Sequence, residues 1–201
     1  PFVQSAYVKI IGCNAKGIEI AIMDYYAQFI DYPTLRKTWM DGYWPIVENQ
    51  AIPVKEGVIE LLDWLKEKKI PIAVATSTHQ ELAATKLKLA GLAPYFEHIS
   101  SGCEVTHGKP HPEIFLLAAQ RLKVPPQQCL AFEDSNNGVL AAVAAIWRAW
   151  QLSHVLSGCV GAARGDCGQQ HAAAVVVAAD WLLRPPFQAP SGVCVCVRVC
   201  V

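Results

Sequence analysis

The sequence predicts an α/β fold, with a partial parallel-sheet core and a small all-helical cap. Three observations lead there. Between residues 55 and 145, short apolar runs alternate with helical stretches, the rhythm of parallel strands joined by helical crossovers. The runs at 70–75 and 129–132 are apolar throughout, as in strands covered on both faces. Three polar clusters, at 76–78, 107–111 and 133–135, fall at or just after strand ends, where parallel sheets bind ligands.

The cap is assigned to residues 1–52. From Ala6 to about Gln50, apolar residues recur at helical spacing: Val8, Ile11, Ala15, Ile18 and Ile22, then Leu35, Trp39, Tyr43, Ile46 and Val47. Pro33, in Asp31-Tyr-Pro-Thr34, marks the break between them. Trp39, Trp44 and Trp64 share this spacing and read as core or cap-interface residues. Ile52-Pro-Val54 is a short linker, and the core is assigned to 53–145.

Within the core, Lys55 to Lys68 forms an amphipathic helix with Val58, Leu61, Leu62 and Leu65 on one face. Ile70 to Ala75 is a buried strand tipped by Thr76-Ser77-Thr78. Gln80 to Ala90 is a helix closed by Gly91. Phe96 to Ser100 is a short strand, and His111 to Lys123 a helix with Pro112 in its first turn. Cys129 to Phe132 is a strand tipped by Glu133-Asp134-Ser135, and Asn136 to Ala145 opens another helix.

The composition then changes. All eleven lysines, 15 of the 17 acids and both methionines precede residue 146. The stretch 146–201 is rich in Ala, Val, Gly and Cys, and its end, Val193 to Val201, alternates Val and Cys almost perfectly. A translated GT-dinucleotide repeat gives that alternation, so this low-complexity tail is expected to be read-through of a shifted frame. The alternative is a genuine Ala/Val-rich final strand and tail.

Lys+Arg and Asp+Glu are both 17, so no basic excess favours nucleic acid as a partner. No charge-free run of about 18 apolar residues appears, which argues against a membrane span. Pro1 to Ile10 lacks a signal-type pattern. Eight cysteines without a C-x-x-C pair read as a reduced chain, and a cytoplasmic location is expected. Cys103 and Cys129 read as small buried apolar residues rather than nucleophiles. His79, His98, His107 and His111 are not spaced as a metal set, although His107 and His111 flank Lys109 and suit a pocket mouth.

The three clusters carry complementary chemistry. Thr76 and Ser77 offer hydroxyls and backbone N–H groups to an oxyanion or phosphate, or serve as plain helix caps. Lys109, held between Gly108 and Pro110, can neutralise a phosphoryl group, or is a solvated loop lysine. Glu133 and Asp134 form a hard-oxygen pair suited to Mg2+, or an N-terminal helix cap.

Together, in this order, the clusters resemble the haloacid dehalogenase-like hydrolase superfamily, in its phosphatase and phosphomutase branch with a helical cap. Residues 6 to about 145 carry the resemblance. Ala75-Thr-Ser-Thr78 looks like the second family motif, Gly108-Lys-Pro-His-Pro-Glu-Ile-Phe115 the third, and Phe132-Glu-Asp-Ser-Asn-Asn-Gly138 the fourth. The resemblance implies a Rossmann-like core, a Mg2+ cofactor and a small phosphorylated metabolite as substrate. It implies that Thr76, Ser77 and Lys109 bind the phosphoryl group, with Thr76 and Lys109 catalytic and with Asp134 and Glu133 on the metal. The family reaction passes through an aspartyl-phosphate formed by an Asp-x-Asp pair.

No two of the aspartates, at 24, 31, 41, 63, 134, 166 and 180, are two residues apart, so no Asp-x-Asp is present. The strand bearing it would precede the cap and lie between the strands ending in Thr76 and Glu133. The chain is therefore expected to be truncated, with those two strand edges unpaired and prone to self-association. Little or no phosphatase activity follows, and the alternative function is a non-catalytic fragment or pseudo-enzyme acting as a binding module. A phospho-receiver domain would place its acidic pair first and its lysine last, opposite to this order. A dinucleotide binder would need a G-x-G-x-x-G that is absent.

Overall fold

The computed structural model describes residues 4–49, 52–145, 149–151 and 174–178. Three helices come first: α1 (Gln4–Ile10), α2 (Ala15–Tyr26) and α3 (Tyr32–Asn49). Asn14 caps α2 by accepting a hydrogen bond from Gly17 N at 3.0 Å. At the break, Asp31 accepts from Thr34 N at 3.2 Å and Pro33 falls in the first turn of α3, so the proline starts a helix. Ile10, Ile22 and Tyr32 form the buried centre of this unit. Trp39 is exposed, as are Phe29 and Ile46, so the helical spacing overstates the cap's core. A stripe at helical spacing shows which side chains share a face, not whether another element covers that face.

The core continues with α4 (Val58–Glu67), β1 (Ile72–Thr76), α5 (Gln80–Leu89), β2 (His98–Ser101), α6 (Glu113–Leu122), β3 (Cys129–Glu133) and α7 (Asn136–Ala145). Two short strands follow: β4 (Ala149–Gln151) and β5 (Ala174–Ala178). β1 begins two residues later than its apolar run. Ile70 N still donates to Leu65 O at 2.9 Å, closing α4, and Pro71 has no N–H to give a ladder.

The sheet order is β2-β1-β5-β3-β4, and every pairing is parallel. On one face, Ile72, Val74, Leu130 and Phe132 pack against Val58, Leu62 and Leu65 of α4 and Leu87 of α5. On the other, Ala73, Ala75 and Ala131 pack against Ile114, Phe115 and Ala118 of α6 and Ala141 and Ala142 of α7. Large residues alternate with alanines along β1, so each helical layer meets a different surface of the same strand.

One expectation is overturned. The slot between β1 and β3 is filled by β5, and the edges expected to be unpaired are paired. Ile72, Ala73, Val74 and Ala75 lie opposite Val175, Val176, Val177 and Ala178. On the other side, Cys129 to Phe132 lie opposite Ala174 to Val177. The physical reason is that a strand buried on both faces needs an unbroken apolar run and no alternation, which Ala174-Val-Val-Val-Ala178 supplies. Val177 is fully buried in the same cluster as Val74 and Phe132. Residues 149–151 likewise join the sheet beside β3. The tail thus contributes a strand at 174–178. Cys129 is buried as expected, but Cys103 is exposed, because it lies in the turn after β2 rather than on the strand. The alternating Val193–Val201 segment, His154, His171 and the cysteines after residue 158 lie outside the described residues. Among the described residues, no helix is long and apolar enough to cross a membrane.

Candidate functional site

Because all five strands run the same way, their carboxyl ends share one rim, and the polar tips gather there. Glu133 ends β3 with its side chain only 1% exposed. Its Oε1 accepts from Lys109 Nζ at 2.6 Å, and its Oε2 accepts from Ser135 N at 2.6 Å. Lys109 reaches in from the segment between β2 and α6, and its ammonium also lies 5.1 Å from the centre of the Phe115 ring. Burial pushes the Glu133 carboxyl up, but the Lys109 charge and the hydrogen bonds from Lys109 and Ser135 outweigh it and hold the carboxyl below its ordinary value. The result is a buried ion pair at the rim, a poor source of stability but a fixed source of charge.

Local sequence explains the close fit. Ser135 Oγ accepts from Gly138 N at 3.0 Å, capping the start of α7. A Cβ on Gly138 would stand 1.9 Å from Glu133 Oε1, so only glycine admits the carboxylate against this turn. Asp134 follows directly, with its Oδ1 buried. The segment carrying Lys109 is pinned by Glu113, which accepts from Thr106 N and His107 N at 2.9 Å each. Those two backbone donors hold the Glu113 carboxyl below its usual range.

Thr76 sits across the rim at the end of β1, fully buried, with its Oγ1 accepting from Thr78 N at 3.1 Å. Val74 and Phe132 both lie opposite Val177, so Thr76 and Asp134, each two residues further on, are level with one another. Two strand spacings separate them by about 10 Å. Lys109 and Glu133 are thus in direct contact, Asp134 is adjoining, and Thr76 and Ser77 face them across the end of β5. Ser77 Oγ donates to Gly12 O at 2.7 Å, tying the rim to the α1–α2 turn. A cavity of about 530 Å³ opens beside this turn, lined by Asn14 and Lys16 on one side and by His107, Gly108, Pro110 and His111 on the other.

The model of the haloacid dehalogenase-like hydrolases matches residues 12–145, which include α2 and α3 of the cap and all three polar tips. The chain belongs to this family. It is 41% identical over 112 residues to the phosphorylated carbohydrates phosphatase of Thermotoga maritima, covering 55% of this chain and 52% of that one. It is 40% identical over 116 residues to the protein CbbY of Rhodobacter capsulatus, covering 55% and 50%. The chain therefore spans about half the length of these relatives. The fold is shared with a crystal structure of β-phosphoglucomutase from Clostridium difficile, with a TM-score of 0.61 and 22% identity over 72% of this chain and 66% of that one.

Several residues of this family member escape sequence reasoning. The role of Gly138 is set by a contact across a turn. Asn137 Nδ2 donates to Ile11 O at 3.0 Å, a second tie between rim and cap turn that no local pattern announces. The histidines differ from expectation too. His107 and His111, set aside as not spaced for a metal, meet with Glu113, and the candidate ligand atoms of all three lie within 4.8 Å of one another. The turn at Gly108–Pro112 brings them together. The signal available in the sequence was a carboxylate two residues past the second histidine.

Proposed function

We propose that this chain carries the phosphate-handling site of a Mg2+-dependent phosphatase or phosphomutase-type hydrolase of small phosphorylated metabolites. The observation that carries the reading is the buried Lys109–Glu133 pair beside Asp134, with Thr76 level with Asp134 across the same rim. Names of relatives such as the phosphorylated carbohydrates phosphatase support a sugar phosphate as the substrate class.

Lys109 presents a fixed ammonium to the equatorial oxygens of the phosphoryl group, and Glu133 keeps that ammonium in place. Thr76 Oγ1 uses a lone pair on Thr78 N, which leaves its O–H proton to donate to a phosphate oxygen. Ser77 commits its hydroxyl proton to Gly12 O, so its contribution to phosphate binding is its backbone N–H. The donor set for a metal is entirely hard oxygen: the buried Asp134 Oδ1 and the ionised Glu133 carboxylate, whose oxygens each keep a further lone pair. That set fits Mg2+. When bound, Mg2+ withdraws charge from the phosphoryl oxygens and orients the group.

The sequence contains no Asp-x-Asp pair, and this favours a second reading, phosphate binding without rapid turnover. One experiment tests both. Inorganic phosphate is titrated into the chain by calorimetry with and without Mg2+, and hydrolysis of a panel of hexose and pentose phosphates is followed in parallel. The first reading expects Mg2+-dependent phosphate binding that Lys109→Met and Asp134→Asn each abolish. Absence of binding by folded protein overturns it. A turnover rate ordinary for enzymes, 1 per second or above, on the order of the usual kcat range, overturns the second reading.

A further inference from the structure

Outside the phosphate rim, one cluster combines two imidazoles and a carboxylate. His107, His111 and Glu113 stand on the outer side of the Lys109 segment, where both histidine side chains are at least half exposed. We infer that these three residues form a binding site for a borderline divalent transition metal of the Zn2+ class, at the mouth of the 530 Å³ cavity.

The geometry supports this. A tetrahedral ion with bonds of about 2.1 Å sets its ligand atoms about 3.4 Å apart. Glu113 Oε2 lies 3.1 Å from His107 Nδ1 and 3.7 Å from His111 Nδ1, values on either side of that edge. The two rings are 4.6 Å apart between centroids, and no pair of the three ligand atoms exceeds 4.8 Å, so small rotations of exposed side chains close the set. Glu113 Oε2 accepts from His107 N and also meets His107 Nδ1 at 3.1 Å; a metal between the two would replace that second contact and take the lone pair it uses. The bonds from Thr106 N and His107 N hold the carboxylate in place, as hydrogen bonds to a ligating carboxylate do in built metal sites.

The donor types set the selectivity. Two imidazole nitrogens with one carboxylate suit Zn2+, Ni2+ or Cu2+, whereas Mg2+ prefers oxygen alone. The site is thus chemically distinct from the all-oxygen pair at Asp134 and Glu133. Three protein ligands leave a fourth position open toward the cavity, where water or an anion can bind. An ion here would also join the two ends of the turn that delivers Lys109, coupling metal occupancy to the position of that side chain.

The test is calorimetric titration of the full chain with Zn2+ in an excess of Mg2+, compared with His107→Ala/His111→Ala. The cysteines are identical in both proteins, so any Zn2+ they take up cancels and the difference isolates this site. The expected result is one Zn2+ fewer bound per chain in the variant, with an unchanged melting temperature in the absence of metal, since both side chains are exposed. Equal stoichiometry and affinity in the two proteins overturn the inference, as does displacement of the extra ion by Mg2+. A single substitution, His111→Gln, keeps the turn and is expected to weaken that ion at least about tenfold.

Discussion

Gly138→Ala sets two effects of opposite sign against each other. In a helix, replacing glycine by alanine gains about 1 kcal/mol from backbone entropy. Here the new Cβ would stand 1.9 Å from Glu133 Oε1 and 2.0 Å from its Cδ, where ordinary contact begins at 3.4 Å. The carboxylate must retreat by 3.4 − 1.9 = 1.5 Å, and the two 2.6 Å bonds from Lys109 and Ser135 N cannot survive that shift. Uncoupling one partner of a buried ion pair costs about 3–5 kcal/mol. The clash therefore wins, and the net loss is about 2–4 kcal/mol. Urea unfolding of parent and variant measures it. The same substitution in a Lys109→Met/Glu133→Ala background removes the clash, and there Gly138→Ala is expected to be neutral or to stabilise by up to about 1 kcal/mol. If Gly138→Ala stabilises the parent, or costs the same in both backgrounds, the close approach of Glu133 to α7 is not what constrains this position.

Two further outcomes follow from the sheet and from its flank. Val177 is fully buried between β1 and β3, so Val177→Ala is expected to cost about 2 kcal/mol in urea unfolding; a change below about 0.5 kcal/mol would show that β5 does not hold the central slot. Glu104 is bonded to Arg121 and accepts from Ser101 Oγ at 2.7 Å; chiefly through Arg121, its carboxyl is held down at about 2 against an ordinary 4.5. A depressed carboxyl stabilises the fold above its unfolded value and loses that contribution as pH falls through the folded value. Glu104→Gln should therefore be the less stable protein at neutral pH, with the gap closing between about pH 5 and pH 2. A gap independent of pH refutes the assignment.

Much of the fold and part of the site were legible because they rest on local rules. Apolar runs of four to six residues flanked by helical stretches locate β1 and β3, whose ends follow from where polarity begins; β2, His98-Ile-Ser-Ser101, is mostly polar and is marked by its place between two helical stretches. At β1 the boundary shifts for a specific reason: the Ile70 N–H closes α4 and Pro71 interrupts the ladder. What was not legible depends on contacts distant in sequence. Ser77 meets Gly12 across 65 residues and Asn137 meets Ile11 across 126, and neither spacing has a period. The central strand was misjudged for a different reason. Ala174 to Ala178 has the composition of a doubly buried strand, but its surroundings lack the helical stretches and polar tips that made β1 and β3 recognisable.

That central strand has a consequence for the site. Thr76 and Asp134 are level only because β5 is paired in one register with β1 and in a matching register with β3. Sliding β5 by one residue against one neighbour would offset the two sides of the rim by about 3.3 Å, more than a hydrogen bond to a shared phosphate can absorb. Yet three successive valines between two alanines say little about which residue belongs opposite Val74, since a one-residue slip in one direction places Val176 there and in the other only a smaller apolar residue, Ala178. The flanking strands must supply the register. Leu130 and Phe132 of β3 and Ile72 and Val74 of β1 bracket Val177 in one cluster beneath α4 and α5, and the alanines at 73, 75 and 131 leave room beneath α6 and α7. The geometry of the phosphate rim is therefore set by core packing one layer below it. Substitutions such as Phe132→Leu should disturb the spacing of Thr76 and Asp134 without touching either residue.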